Sequence, residues 1–258
     1  MKKAIYLMAF ALVLGTIGCK KSSPTSPSST ATGNARYIAG GKGGSMARFA
    51  IIDNYMYSVD FKTLKIFDIS DAQNPRFVAK RDLLVGAETI FPQNDKLFIG
   101  TQNGLYIYNV TNPIQPSEES YIEHVVSCDP VVADETHAYV TLRGGSACGN
   151  NINALDVYDV SNPQDPQLRT SSPLANPYGL GLSEATSGTL FVCDGDSGLV
   201  VMSLGGIEPL EVNRIEGIKA YDVIPDGDRL IVSASDKIIQ YDVTDPKNFS
   251  ELSVINVY

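Results

Sequence analysis

Five times along the chain an apolar stretch closes on a small polar residue. The five are Leu64-Lys65-Ile66-Phe67-Asp68, Leu105-Tyr106-Ile107-Tyr108-Asn109, Leu155-Asp156-Val157-Tyr158-Asp159, Leu199-Val200-Val201-Met202-Ser203 and Ile238-Ile239-Gln240-Tyr241-Asp242. Their first residues lie 41, 50, 44 and 39 positions apart. A period of that length suits either a four-stranded propeller blade or a pair of helices. Helices are excluded, because no stretch within a unit carries a 3.6-residue apolar period.

The units divide instead into short β-rich runs separated by turn residues. In the first unit these are Phe49–Ile52, Tyr55–Val59, Leu64–Ile69 and Phe77–Lys80, and in the fifth Asp222–Ile224, Leu230–Ser233, Ile238–Val243 and Leu252–Val257. Asp53-Asn54 and Asp226-Gly227-Asp228 supply tight turns. The third run of each unit is apolar on both faces: Leu105 and Ile107 point one way, Tyr106 and Tyr108 the other. Such a strand must be covered on two sides, as a blade between two neighbours is. Asn74-Pro75, Asn112-Pro113, Asn162-Pro163 and Asp245-Pro246 follow it, and Gly205-Gly206 stands in that place in the fourth unit. Proline there ends the ladder and turns the chain outward. The expected fold is all-β, a single β-propeller of five four-stranded blades over residues 35–258. Tyr37-Ile38 is expected to add one strand to an edge of the last blade.

The pattern resembles the LVIVD-repeat family of bacterial β-propellers. Gly43-Gly44-Ser45-Met46-Ala47-Arg48-Phe49, Cys128-Asp129-Pro130-Val131, Tyr139-Val140-Thr141-Leu142-Arg143, Asn176-Pro177-Tyr178-Gly179-Leu180 and Phe191-Val192-Cys193-Asp194-Gly195 are similar to its lipoprotein branch. Tyr178 stands where that branch implies a histidine, which weakens any role needing an imidazole there. The resemblance implies a fold and a location but no activity.

Residues 1–18 read as a lipoprotein signal. Lys2 and Lys3 precede the apolar run Ala4–Ile17, which is too short for a comfortable membrane span, and Thr16-Ile17-Gly18-Cys19 resembles a lipobox. Cys19 is therefore the expected lipidation site, with ordinary signal cleavage as the alternative. Residues 19–34 are rich in Ser, Thr and Pro and read as a flexible tether. Lys20 after the cysteine favours the outer over the inner membrane, in a cell-envelope setting either periplasmic or surface-exposed. Contact with the membrane is expected through the lipid anchor alone.

Without residues 1–18 the chain has 18 basic and 29 acidic residues, a net charge of −11. That acidity excludes nucleic acid as a partner class, since such binding depends on neutralising phosphates. From second strand to pentapeptide the third unit takes 17 residues where the others take 8 or 9, and Cys148 lies in that insertion. Cys128 lies in the loop entering the same unit, so a Cys128–Cys148 disulfide on one rim is expected in an oxidising compartment. Cys193 ends an interior strand and reads as a buried small hydrophobe.

Equivalent loops should gather Arg48, Glu88, Asp129, Tyr178 and the pair Tyr221-Asp222 on one face, with Arg143, Asp194 and Asp196 from neighbouring loops. This is the candidate binding rim, by geometry. The alternative is that Arg48, Glu88 and Asp129 pair with one another and close the channel. Asp194-Gly195-Asp196-Ser197-Gly198 has carboxylates at alternate positions that invite calcium, but an Asp-Gly turn explains it equally and it lacks the other ligands of an EF-hand loop. His124 and His137 are the only histidines, so no two-histidine metal site or catalytic triad forms easily. No catalytic residue, metal ligand or cofactor is assigned. The expectation is a non-enzymatic binding or scaffolding module for an unidentified protein or glycan. A metal-assisted hydrolase or lyase, and a structural subunit of an outer-membrane assembly, are the alternatives.

Overall fold

The computed structural model describes residues 44–257 apart from 85, 125–129, 146–150, 184–187, 207 and 246. The described residues form five antiparallel four-stranded sheets, each a meander with its strands in chain order. Blade 1 holds β1 (Phe49–Ile52), β2 (Tyr55–Asp60), β3 (Thr63–Asp68) and β4 (Arg76–Asp82). Blade 2 holds β5 (Ala87–Gln93), β6 (Lys96–Thr101), β7 (Gly104–Asn109) and β8 (Ser117–Glu123). Blade 3 holds β9 (Val131–Ala133), β10 (His137–Leu142), β11 (Ala154–Asp159) and β12 (Gln167–Pro173). Blade 4 holds β13 (Leu180–Leu182), β14 (Thr189–Cys193), β15 (Leu199–Ser203) and β16 (Leu210–Ile215). Blade 5 holds β17 (Ala220–Asp226), β18 (Arg229–Ala234), β19 (Lys237–Asp242) and β20 (Ser250–Asn256). The fold is a five-bladed β-propeller.

The pentapeptides are the third strands, and they do the same work in each blade. In blade 2, Leu105 and Ile107 pack toward blade 3 while Tyr106 and Tyr108 pack toward blade 1, all four buried. Between the third and fourth residues of every pentapeptide the register to the outer strand slips by one. The extra residue is Val78, Glu119, Arg169, Val212 or Leu252, and a bulge there adds right-handed twist to each outer edge.

The fifth residue of the pentapeptide has its own reason. The Oδ1 of Asp68, Asn109, Asp159 and Asp242 accepts the amide of the residue two further on, at 2.9–3.0 Å. This side-chain turn leads the chain off the third strand. Ser203 stands in for it in blade 4 with a longer contact of 3.5 Å to the Gly205 amide. A second turn follows, closed by Asn74, Gln115, Asp165 and Asn248 amides onto the carbonyls of Asp71, Asn112, Asn162 and Asp245. Asn112 and Asn162 are thus matched in blade 1 by Asp71, not by Asn74. Pro75, Pro116 and Pro166 are the equivalent set, each placed just before an outer strand, where a missing N–H costs no ladder bond.

Four buried apolar clusters join blade 1 to 2, 2 to 3, 3 to 4 and 4 to 5. The inner strands β1, β5, β9, β13 and β17 pack side by side in that order. Among the described residues no comparable packing joins β17 back to β1. The Tyr37-Ile38 strand expected from the sequence lies outside the described residues.

Candidate functional site

Just before β1, the segment Gly44–Arg48 reaches across to the inner strands of other blades. A turn bonds the Ala47 amide to the Gly44 carbonyl at 3.0 Å. From it the segment reaches three other blades. The Ser45 hydroxyl, fully buried, accepts the Leu180 amide of β13 at 2.7 Å. The Ala47 carbonyl accepts the Ile90 amide of β5 at 2.9 Å. Gly44 rests on Asp222 of β17 so closely that a Cβ would lie 2.5 Å from Oδ2. Small residues are required where a backbone crosses a narrow channel, which accounts for Gly44-Ser45 in the sequence. Sequence reasoning noted this motif but missed that Ser45 ties blade 1 to blade 4.

Beside this segment, blades 3, 4 and 5 build a stack. The Arg143 guanidinium, following β10, lies 4.1 Å over the Tyr178 ring. Tyr178 meets Tyr221 edge-on at 4.9 Å between centroids. The backbone holds these rings: the Tyr178 amide donates to the Cys193 carbonyl at 2.7 Å, the Tyr178 carbonyl accepts the Thr141 hydroxyl at 2.6 Å, and the Gly179 amide donates to the Tyr221 carbonyl at 2.9 Å. All three side chains are half-buried. A cation over an aromatic face is worth about 0.5–1 kcal/mol when exposed and more when desolvated.

Asp222 lies against Gly44 and Gly179. A Cβ on Gly179 would lie 2.2 Å from its Oδ1. That oxygen is buried and has no hydrogen-bond partner among the described residues. Burial pushes the Asp222 carboxyl up to about 6, offset only in part by a backbone hydrogen bond from Val223. Desolvation, which disfavours the charged form, is the largest cause of the shift.

The other expected rim residues are placed less uniformly. Arg48 is exposed, just before β1. Glu88 accepts the Gln102 amide group at 3.0 Å, a contact within its own blade, rather than pairing with Arg48. Asp194 is 2% exposed and turns inward, accepting the Ala175 and Asn176 amides at 3.0 and 2.7 Å and facing Arg214 at 3.4 Å. It is a structural anchor for the loop before β13, not a rim group. Asp196 is exposed and paired to Lys219 at 3.1 Å. The Asp194 and Asp196 carboxylates therefore serve different partners, and among the described residues no three acidic, histidine or cysteine groups are placed to hold a metal. Cys193 is buried and free, and burial, with Asp222 and Asp194 nearby, pushes its thiol up. Asp129, Cys128, Cys148 and Cys19 lie outside the described residues.

The comparisons with known proteins bear on the fold. The LVIVD repeat model matches residues 43–82 and 132–172, which cover blade 1 and most of blade 3. No curated protein matches the sequence. Among solved structures, a functionally unknown protein from Desulfotomaculum acetoxidans is similar at 12% identity and a TM-score of 0.63, over 80% of this chain and 67% of that one. The periplasmic gluconolactonase PpgL of Pseudomonas aeruginosa is similar at 12% identity and 0.58, over 81% and 68%. AztD of Citrobacter koseri is similar at 12% identity and 0.54, over 79% and 59%. This chain thus spans between 59% and 68% of those structures, and at such identities the likeness shows the fold alone.

Proposed function

Starting from a five-bladed β-propeller built on LVIVD repeats, we propose that this chain is a lipid-anchored cell-envelope protein that binds a protein or glycan partner without turning it over. The observation that carries the reading is the Arg143–Tyr178–Tyr221 stack beside the Gly44–Arg48 segment. Arginine and tyrosine on a rigid backbone are the residue types that dominate binding hot spots, and rigid rings lose little entropy when they are covered. Arg48 adds an exposed cation to the same face. Gly44–Arg48 lies across this face, reaching from blade 1 onto blades 2, 4 and 5. That geometry favours recognition of a macromolecular surface over capture of a small substrate.

Capture from detergent-solubilised membranes tests the reading. Arg143→Ala and Tyr221→Ala should each weaken retention of the captured partner at least tenfold while leaving the melting temperature nearly unchanged. Equal retention by both variants would move the binding surface elsewhere. Turnover of a lactone or ester that Asp222→Asn abolishes would overturn the non-enzymatic reading in favour of a hydrolase.

The anchor has its own expected result. With a clickable palmitate analogue the wild type should be labelled and membrane-bound, and Cys19→Ala should be unlabelled and released. Two acyl signals hold a protein stably where one does not, so a soluble wild type would sink this part of the reading.

A further inference from the structure

The end of blade 1 at which β1 begins differs from the same end of blades 2, 4 and 5. Phe61 and Lys62 form the turn between β2 and β3, just beyond the Asp60–Thr63 pair. The Lys62 carbonyl accepts the Leu83 amide at 2.7 Å and the Phe61 carbonyl accepts the Gly86 amide at 2.9 Å. These bonds bring the stretch after β4 alongside the turn. The Arg48 carbonyl accepts the Val59 amide at 2.9 Å, which sets the entry to β1 at the same end. Leu84 is fixed there too, its amide donating to the buried Tyr106 hydroxyl of blade 2 at 2.9 Å. Met46, Phe49, Phe61 and Leu84 therefore share one end of one blade, and they are 42%, 55%, 47% and 60% exposed. At the equivalent turn blade 2 has Gln102-Asn103, blade 4 Asp194–Gly198 and blade 5 Ser235-Asp236, with no large apolar side chain. An apolar group gathered on an otherwise polar rim marks a contact surface.

Charge follows the same division. Residues 44–84 hold six basic and five acidic side chains, whereas residues 85–258 hold eight and 24. Residues 19–43, which lead into this end of blade 1, hold four basic side chains and no acid. At the end itself Arg48 and Lys62 are exposed. The acids there each face a lysine, Asp60 with Lys65 at 2.6 Å and Asp82 with Lys80 at 3.5 Å. Charges farther off than about 10 Å are screened at 0.1 M salt. An approaching surface thus meets the charges of this end before the net acidity of blades 2 to 5.

We propose that this end of blade 1 docks on an anionic phospholipid bilayer, with Phe61 and Leu84 entering the head-group region and Arg48 and Lys62 meeting lipid phosphates. Apolar side chains beside cations are the combination that holds a surface at a charged membrane interface. The chain also arrives at the propeller here, through Gly44 beside Met46, so a membrane tether draws this end inward first. The inference rests on the envelope reading above and goes beyond it, since the propeller as well as the lipid touches the membrane. Arg143, Tyr178 and Tyr221 belong to blades 3, 4 and 5 and lie outside the patch.

Vesicle binding by the full mature chain carrying Cys19→Ala tests docking apart from the anchor. The protein has no tryptophan, so Phe61→Trp sets a single reporter on the patch and Leu168→Trp, on β12 of blade 3, a control. With vesicles containing phosphatidylglycerol, the Phe61→Trp emission should move to shorter wavelength and be quenched by lipids brominated on their chains. The Leu168→Trp emission should do neither. Phe61→Ser combined with Leu84→Ser should lower the vesicle partition coefficient roughly tenfold, and because both side chains are exposed the melting temperature should stay within about 2 °C. Arg48→Ala combined with Lys62→Ala should weaken binding by a similar factor in low salt and hardly at all in high salt. A Phe61→Trp emission that vesicles leave unchanged overturns the proposal, whether or not the lipidated wild type is membrane-bound. So does binding that survives the Phe61 and Leu84 substitutions but is lost on Lys20→Ser with Lys21→Ser, since the tether alone then holds the vesicle. A Phe61→Trp reporter shielded by a captured protein and not by lipid overturns it as well.

Discussion

Replacing Asp222 by asparagine should make the protein more stable at neutral pH, by roughly 3 kcal/mol. The carboxyl has Gly44 and Gly179 pressed on it, and its Oδ1 has no partner among the described residues. Burial raises it from the ordinary carboxylate value to about 6. A group whose folded value is raised contributes fully below its unfolded value, about 3.9, and that contribution is lost as pH rises through the folded one. The wild type should therefore lose stability between about pH 4 and pH 7 through this group, and the asparagine variant should not. Carboxylates such as Glu211, held low by Arg214, act in the opposite sense at more acidic pH. The difference between wild type and variant isolates Asp222. At pH 7.5 the variant should melt about 5–10 °C higher, and the gap should close by pH 4. A variant that melts lower than wild type, or a gap that does not change with pH, would show that Asp222 is charged and paired in the folded protein.

Gly179→Ala should cost about 2 kcal/mol by overpacking, and most of that cost should vanish when Asp222 is also replaced by alanine. The added methyl would lie 2.2 Å from the Asp222 Oδ1 and 3.0 Å from both its carboxyl carbon and the Tyr221 carbonyl oxygen. The side chain that blocks it is short and enclosed, so it has little room to swing away. Removing the carboxyl leaves only the backbone carbonyl as an obstacle, for which about 0.5–1 kcal/mol remains. Denaturant midpoints for the two single variants, the double variant and the wild type give the coupling. Additive effects would mean that the methyl meets something other than Asp222, and the packing at the mouth of the channel would be misassigned. Because Gly179 bonds the Tyr221 carbonyl, the single variant should also disturb the Tyr178–Tyr221 contact and weaken partner capture.

Much of the candidate site was legible only as a neighbourhood. Equivalent loops of equivalent blades must lie on one face, so Arg48, Glu88, Tyr178 and Asp222 could be grouped from spacing. Which of them touch could not be read that way. Glu88 turns to Gln102 of its own blade, whereas Arg143 crosses from blade 3 to cover Tyr178 of blade 4. These choices depend on side-chain directions at a junction between sheets, which no local pattern encodes. Asp194 shows the same limit. Its Asp-Gly context suggests an exposed turn or a cation loop, yet the carboxylate is spent on the Ala175 and Asn176 amides some twenty residues away.

What the sequence by itself determined is the blade. Two-sided apolar strands recurring at nearly constant spacing require neighbours on both faces. That pattern is short-range, and it appears in the structure as read. What only the tertiary structure decided is how the blades meet. Leu64-Lys65-Ile66-Phe67-Asp68 and Ile238-Ile239-Gln240-Tyr241-Asp242 read like the three pentapeptides between them, yet among the described residues their blades lack the packing that joins the other neighbours, and Phe67 and Ile238 are half-buried. Their difference lies in being first and last in a ring, a property of closure rather than of any residue. The Ser45 hydroxyl on the Leu180 amide, 135 residues away, belongs to that same closure.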